Sequence, residues 1–257
     1  MHLMHKFRLS VTPKLALAVA LAAFVIWFVC ISVGRYDTRL FIEWHVAYES
    51  GDYILARSVA NRMRFVDKKN SSFLLAVLAV TDSIKLDGKA KKDAINTGLR
   101  TLESVDFTSW PSGGQQTVLV TKASLNAMLG RKEMAVKYAN EACDLLAKTW
   151  PYGGNFATHE SCMSRLRGDG SGVGHVGGGI SYRYDAIGVY DAAALSLLID
   201  GGDSDGVLFS KALSLQYFDV DQARKIRDGL IKAGKFTPQM EKAYCATESL
   251  DPVTCKG

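Results

Sequence analysis

The chain of 257 residues carries no catalytic signature. It has no β-α-β pattern. The formal dinucleotide fingerprint Gly172-Val173-Gly174-His175-Val176-Gly177 therefore lacks the buried strand and following helix that would seat a pyrophosphate on a helix N-terminus. No Lys-Ser/Thr pair follows those glycines, which excludes a P-loop. His159-Glu160 lacks the second His of a zinc-protease helix. A concentrated basic face is also missing. The formal net charge is +5, and Lys6, Arg8 and Lys14 carry +3 of it, which argues against a nucleic-acid partner for the rest. The short run Lys89, Lys91, Lys92 reads as a solvated helix face.

Two further absences are local. The first 14 residues contain no acid, and Leu15 to Val33 contains no charged side chain at all. As a helix, 19 residues rise about 28 Å, close to the hydrocarbon thickness of a bilayer. After the run, Arg35 and Arg39 are offset by Asp37 and Glu43. The basic excess on the N-terminal side predicts a single-pass anchor in a cytoplasmic membrane, with the N-terminus in the cytoplasm and the rest outside. A cleaved signal peptide is the competing reading, although its apolar region is ordinarily about 7 to 15 residues. Ser32-Val33-Gly34 would be its cleavage site. The expected organisation is a basic tail over 1–14, an anchor over 15–34, helical repeats over 35–154, a Gly-rich loop over 155–183 and a helical region over 184–257.

Beyond the anchor the periodicity is helical throughout, predicting an all-α fold. Leu40, Phe41, Trp44, Val46, Ala47 and Tyr48 form one stripe, Gly51-Asp52 breaks it, and Tyr53, Leu55, Ala56, Val59, Ala60 and Met63 form the next. Phe73 to Ile84 and Val118 to Leu129 are further apolar helices. Gly88 and Gly130 each separate one from a partner helix. Helix–Gly–helix units recurring every 37 to 42 residues imply an α-solenoid, in which each hairpin buries its face against the next. Over about residues 38–149 the chain resembles the tetratricopeptide-repeat family. Gly51-Asp52-Tyr53-Ile54-Leu55-Ala56 matches the usual opening of that family's second helix, and Gly130 and Ala135 keep its spacing. Glu43 and Trp44 stand where the family prefers Leu and Gly, and no unit ends in its usual Pro. The resemblance implies a helical surface that binds protein, not a chemistry, and no cofactor.

Trp110-Pro111-Ser112-Gly113-Gly114 recurs as Trp150-Pro151-Tyr152-Gly153-Gly154. Each copy is expected to end a helix before its Pro and to turn on its Gly pair. The Trp residues then either pack on the preceding hairpin or form, with Pro111 and Pro151, a paired contact site for a partner.

Four cysteines lie outside the anchor. In an oxidising compartment, Cys143, Cys162, Cys245 and Cys255 predict two disulfides. Three connectivities exist; Cys143–Cys162 and Cys245–Cys255 are the favoured pair. His159, Cys162 and His175 share the Gly-rich loop and offer the alternative of a metal site or a Cys–His nucleophile. The expected function is a membrane-anchored, extracytoplasmic scaffold that binds protein partners in an envelope complex serving secretion, pilus or envelope assembly. The alternatives are an envelope enzyme using the 159–175 loop, and an accessory subunit of a larger integral membrane complex.

Overall fold

The structure, a computed structural model, describes residues 13–149, 159–160, 162–163, 183–199, 205–246 and 255. Among the described residues it has ten α-helices and no strand. These are α1 (Pro13–Glu49), α2 (Tyr53–Met63), α3 (Lys68–Lys85), α4 (Gly88–Glu103), α5 (Ser112–Met128), α6 (Lys132–Thr149), α7 (Arg183–Ile199), α8 (Asp205–Leu215), α9 (Val220–Lys232) and α10 (Pro238–Ala246).

The first six helices form the three expected hairpins, α1–α2, α3–α4 and α5–α6. The hinge glycines explain the spacing. Gly51 and Gly130 turn the chain with φ of 80° and 71°, a left-handed conformation that side-chain-bearing residues adopt at a cost. Local carboxylates then restart the helices. Asp52 accepts the Leu55 N–H at 2.9 Å, and Asp67 accepts those of Lys69 and Asn70 at 2.8 and 2.9 Å. Small residues set how closely the helices pack. Ala56, Ala60, Ala135, Ala139 and Ala142 are wholly buried. A Cβ on Gly98 would come within 3.0 Å of the Ala79 methyl.

Leu15 to Val33 is helical backbone, the first half of α1, which continues unbroken through the expected boundary at residue 34 into the first hairpin. Among the described residues, no helix is long and apolar enough to cross a membrane. Most side chains of Leu15–Val33 lie outside the described residues. Residues 1–12 also lie outside them, as does most of 155–182.

The C-terminal helices do not extend the row of hairpins. Instead α7 folds back onto it, packing on α1, α3 and α5, the first helix of each hairpin, and on α6. Tyr184 sets its ring edge-on to Trp44 and Tyr48, with centroids 5.9 and 6.3 Å away. Ala186, Ile187 and Tyr190 complete the main core. From there α8, α9 and α10 build a small second core of Phe209, Ala212, Leu213, Leu230 and Tyr244. Gln222 ties it to the hairpins by donating to the Ile84 carbonyl at 3.1 Å.

Candidate functional site

The row of first helices, where a stack of hairpins would offer its inner surface to a partner, is covered by the chain's own α7. Glu49 fixes that arrangement. Its carboxylate accepts the backbone N–H groups of Arg183 and Tyr184 at 2.8 and 2.9 Å, closing the first turn of α7. The Arg183 guanidinium lies over Gly51, 3.6 Å from where a Cβ would stand, and donates to the Tyr53 hydroxyl at 3.1 Å and to the Tyr217 carbonyl.

Asp191 sits on α7. Its Oδ1 is sealed from solvent with no hydrogen-bond partner among the described residues, and burial of the carboxyl pushes it up to about 8. Burial likewise pushes the neighbouring Tyr190 hydroxyl up to about 12. Lys211 of α8 stands 5.7 Å from the Tyr190 ring centroid. Its ammonium is held below the usual lysine range, first by burial and then by Lys91. Lys91, Lys211 and Tyr190 rim a groove of about 340 Å³ floored by Met128 and Leu198.

Surfaces left open by α7 lie on the first hairpin and around its base. Ile42 and Val46, one turn apart on α1, are 57% and 62% exposed, and Ile54 at the start of α2 is 86% exposed. A larger cleft of about 460 Å³ opens between α2, α3 and α4.

The sequence-predicted residues fall out as follows. Cys143–Cys162 and Cys245–Cys255 are disulfides, with Cα separations of 5.5 and 5.2 Å. Cys162 is thus no free thiolate for metal or nucleophilic chemistry. His159 Nδ1 lies 2.8 Å from Asp144 on α6, and His175 lies outside the described residues. Among the described residues, no three His, Cys, Asp or Glu side chains gather as a metal site. Trp110 is half-buried and packs edge-on against Phe107 and Phe73, with centroids 4.9 and 5.9 Å away. Pro111 is exposed and precedes α5, while Trp150 and Pro151 lie outside the described residues. The expected turn at Gly113-Gly114 is corrected: both glycines belong to the first turn of α5. Gly114 is there for space, because a Cβ would meet the Trp110 ring at 2.9 Å.

Sequence reasoning missed Glu49 and Arg183, which meet across more than a hundred residues, and Asp191, whose charge acts on Tyr48 of another helix. Asp191 carried one usable signal, a lone acid in the apolar stretch Ala186 to Leu198.

Compared with known protein families, curated proteins and solved structures, the chain matches none.

Proposed function

We propose that this chain is a membrane-anchored, tetratricopeptide-like scaffold that holds a protein partner on the extracytoplasmic side of a cytoplasmic membrane. The anchor rests on the charge-free run Leu15–Val33 and its basic N-terminal flank. Carrying the scaffold reading is the outward side of the first hairpin, where Ile42, Val46 and Ile54 stand in solvent. In a stack of hairpins each outward side is covered by the next unit, and the terminal one needs a polar exterior to stay soluble. An apolar exterior at that position fits a surface covered by another chain.

The same residues favour a partner that is itself in the membrane. Phe24 and Ile42 are 18 residues apart, five turns at 3.6 residues each, so they share one side of α1. Both are exposed, at 58% and 57%. A partner helix lying along that side would contact the anchor and the domain together, as in an accessory subunit of a larger membrane complex.

The test is capture of partners by the full chain from gently solubilised membranes, beside an anchor-deleted form and the I42E/V46E double variant. A stoichiometric partner retained by the wild type and lost by the double variant is expected. No stoichiometric partner in any form, or one indifferent to the substitutions, would sink the reading.

A further inference from the structure

The turn from α2 into α3 lies beside the last third of α1. Arg62 pairs with Glu43 at 2.5 Å, and the charge of Asp67 acts on Asp37. Residues 64–68 therefore stand level with about residues 37–40, which follow Val33 by four to seven positions, or roughly 6 to 10 Å along the helix. If Val33 ends the hydrocarbon span, this pole of the domain lies at the outer edge of the headgroup layer, which is roughly 5 to 7 Å deep on each side.

The 460 Å³ cleft opens at this pole. Arg64 at its rim, Lys68 in the first turn of α3 and Arg100 in the last turn of α4 line it, and no acid does. Arg64 and Lys68 have no carboxylate partner among the described residues, and Arg100 donates only to the Asn96 carbonyl and the Thr97 hydroxyl. Ser72 lines the same cleft, and its hydroxyl makes no hydrogen bond among the described residues. Three cations without a carboxylate partner, with a hydroxyl among them, suit one ligand that brings negative oxygens. Beside the cleft, Phe65 is 91% exposed, more than any other large apolar side chain among the described residues. An aromatic ring set among basic residues is the composition of a surface that sits at the acyl boundary of an anionic leaflet.

We propose that this cleft binds the phosphate of an anionic phospholipid headgroup through Arg64, Lys68, Arg100 and Ser72, with Phe65 inserted beside it. The inference rests on the anchor reading above. It makes the membrane a second ligand of the folded domain, one that holds the hairpins at a set height and tilt.

The full chain is placed in nanodiscs of phosphatidylcholine alone or mixed with phosphatidylglycerol, and amide hydrogen exchange is followed. Slower exchange of residues 62–72 and 98–104 is expected in the anionic discs, with residues 86–92 at the opposite pole unchanged. Each of Arg64→Gln, Lys68→Gln and Arg100→Gln should reduce the protection ratio roughly fivefold, about the effect of one cation at an anionic surface. Unchanged exchange at 86–92 in these variants reports that they remain folded. Equal exchange in the two lipids by a stably inserted chain overturns the headgroup site and leaves the anchor standing. Protection reproduced by inorganic phosphate in phosphatidylcholine discs overturns it in favour of a soluble anion. A chain that does not enter discs overturns both readings.

Discussion

Glu49, the last residue of α1, caps Arg183, the first residue of α7, across 134 positions of sequence. This carboxylate therefore ties the start of the C-terminal half to the first hairpin. Helix N-terminal N–H groups left without partners are costly when half-buried, and an acid there also complements the helix dipole. Replacing Glu49 with Ala is expected to lower stability by about 1 to 2 kcal/mol in chemical denaturation. Hydrogen exchange should quicken first at the start of α7. A loss spread evenly over all helices would argue that Glu49 does not cap α7.

Gly113 and Gly114 separate space from conformation. Both are helical, but only Gly114 faces the Trp110 ring. Gly114→Ala is expected to destabilise by about 1 to 3 kcal/mol through overpacking. Gly113→Ala meets nothing within 4 Å and should be neutral, or should stabilise by about 0.5 kcal/mol. Thermal unfolding of the two variants side by side checks this.

Gly51 tests conformation. Its φ of 80° places it where an L side chain is strained. Gly51→Ala should cost about 1 to 2 kcal/mol from backbone strain. The added Cβ would stand 3.6 Å from the Arg183 guanidinium, an ordinary van der Waals contact, so Arg183→Ala is expected to recover none of the strain. Full recovery in the double variant would show that the contact, and not the backbone, sets the cost.

Asp191 predicts a pH dependence. Its carboxyl is raised in the fold to about 8 from an ordinary value of 3.8. A raised folded value means the neutral acid is the form the fold accepts. The associated stability is full below about pH 4 and is lost progressively as pH rises through about 8. Asp191→Asn should therefore match the wild type near pH 4 and exceed it increasingly toward pH 8, by about 1 to 3 kcal/mol. An offset that does not change with pH would contradict a neutral Asp191.

The Cys143–Cys162 bridge spans 19 positions and ties α6 to residues 159–163. Replacing both cysteines with Ala should cost about 3 kcal/mol, the chain-entropy value for a loop of that size. The Cys245–Cys255 bridge spans only 10 positions at the end of α10, so its removal should cost less. Unfolding free energies of the two double variants, each extrapolated with its own denaturant slope, check the order.

Much was legible without coordinates, because the signals are short-range. Helical periodicity, the Gly hinges at 51, 88 and 130 and both disulfide pairs act through neighbours within a turn or a short loop. The Gly113-Gly114 misreading came from treating a packing requirement as a turn requirement. From sequence alone, a glycine chosen for space looks the same as one chosen for φ.

By itself, then, the sequence determined the helices, their hairpin pairing and the charge-free run at the start of α1. Tertiary structure alone decided that α7 would cover the first helices, that the Asp191 Oδ1 would be sealed from solvent, that Trp110 would lie on Gly114, and that Arg64, Lys68 and Arg100 would share one cleft. The physical reason is the range of the interactions. Caps, hinges and periodicity are set within about four residues along the chain. An amphipathic helix shows only that one face will be buried. Which surface buries it depends on side chains that meet from more than a hundred residues away, as Glu49 meets Arg183.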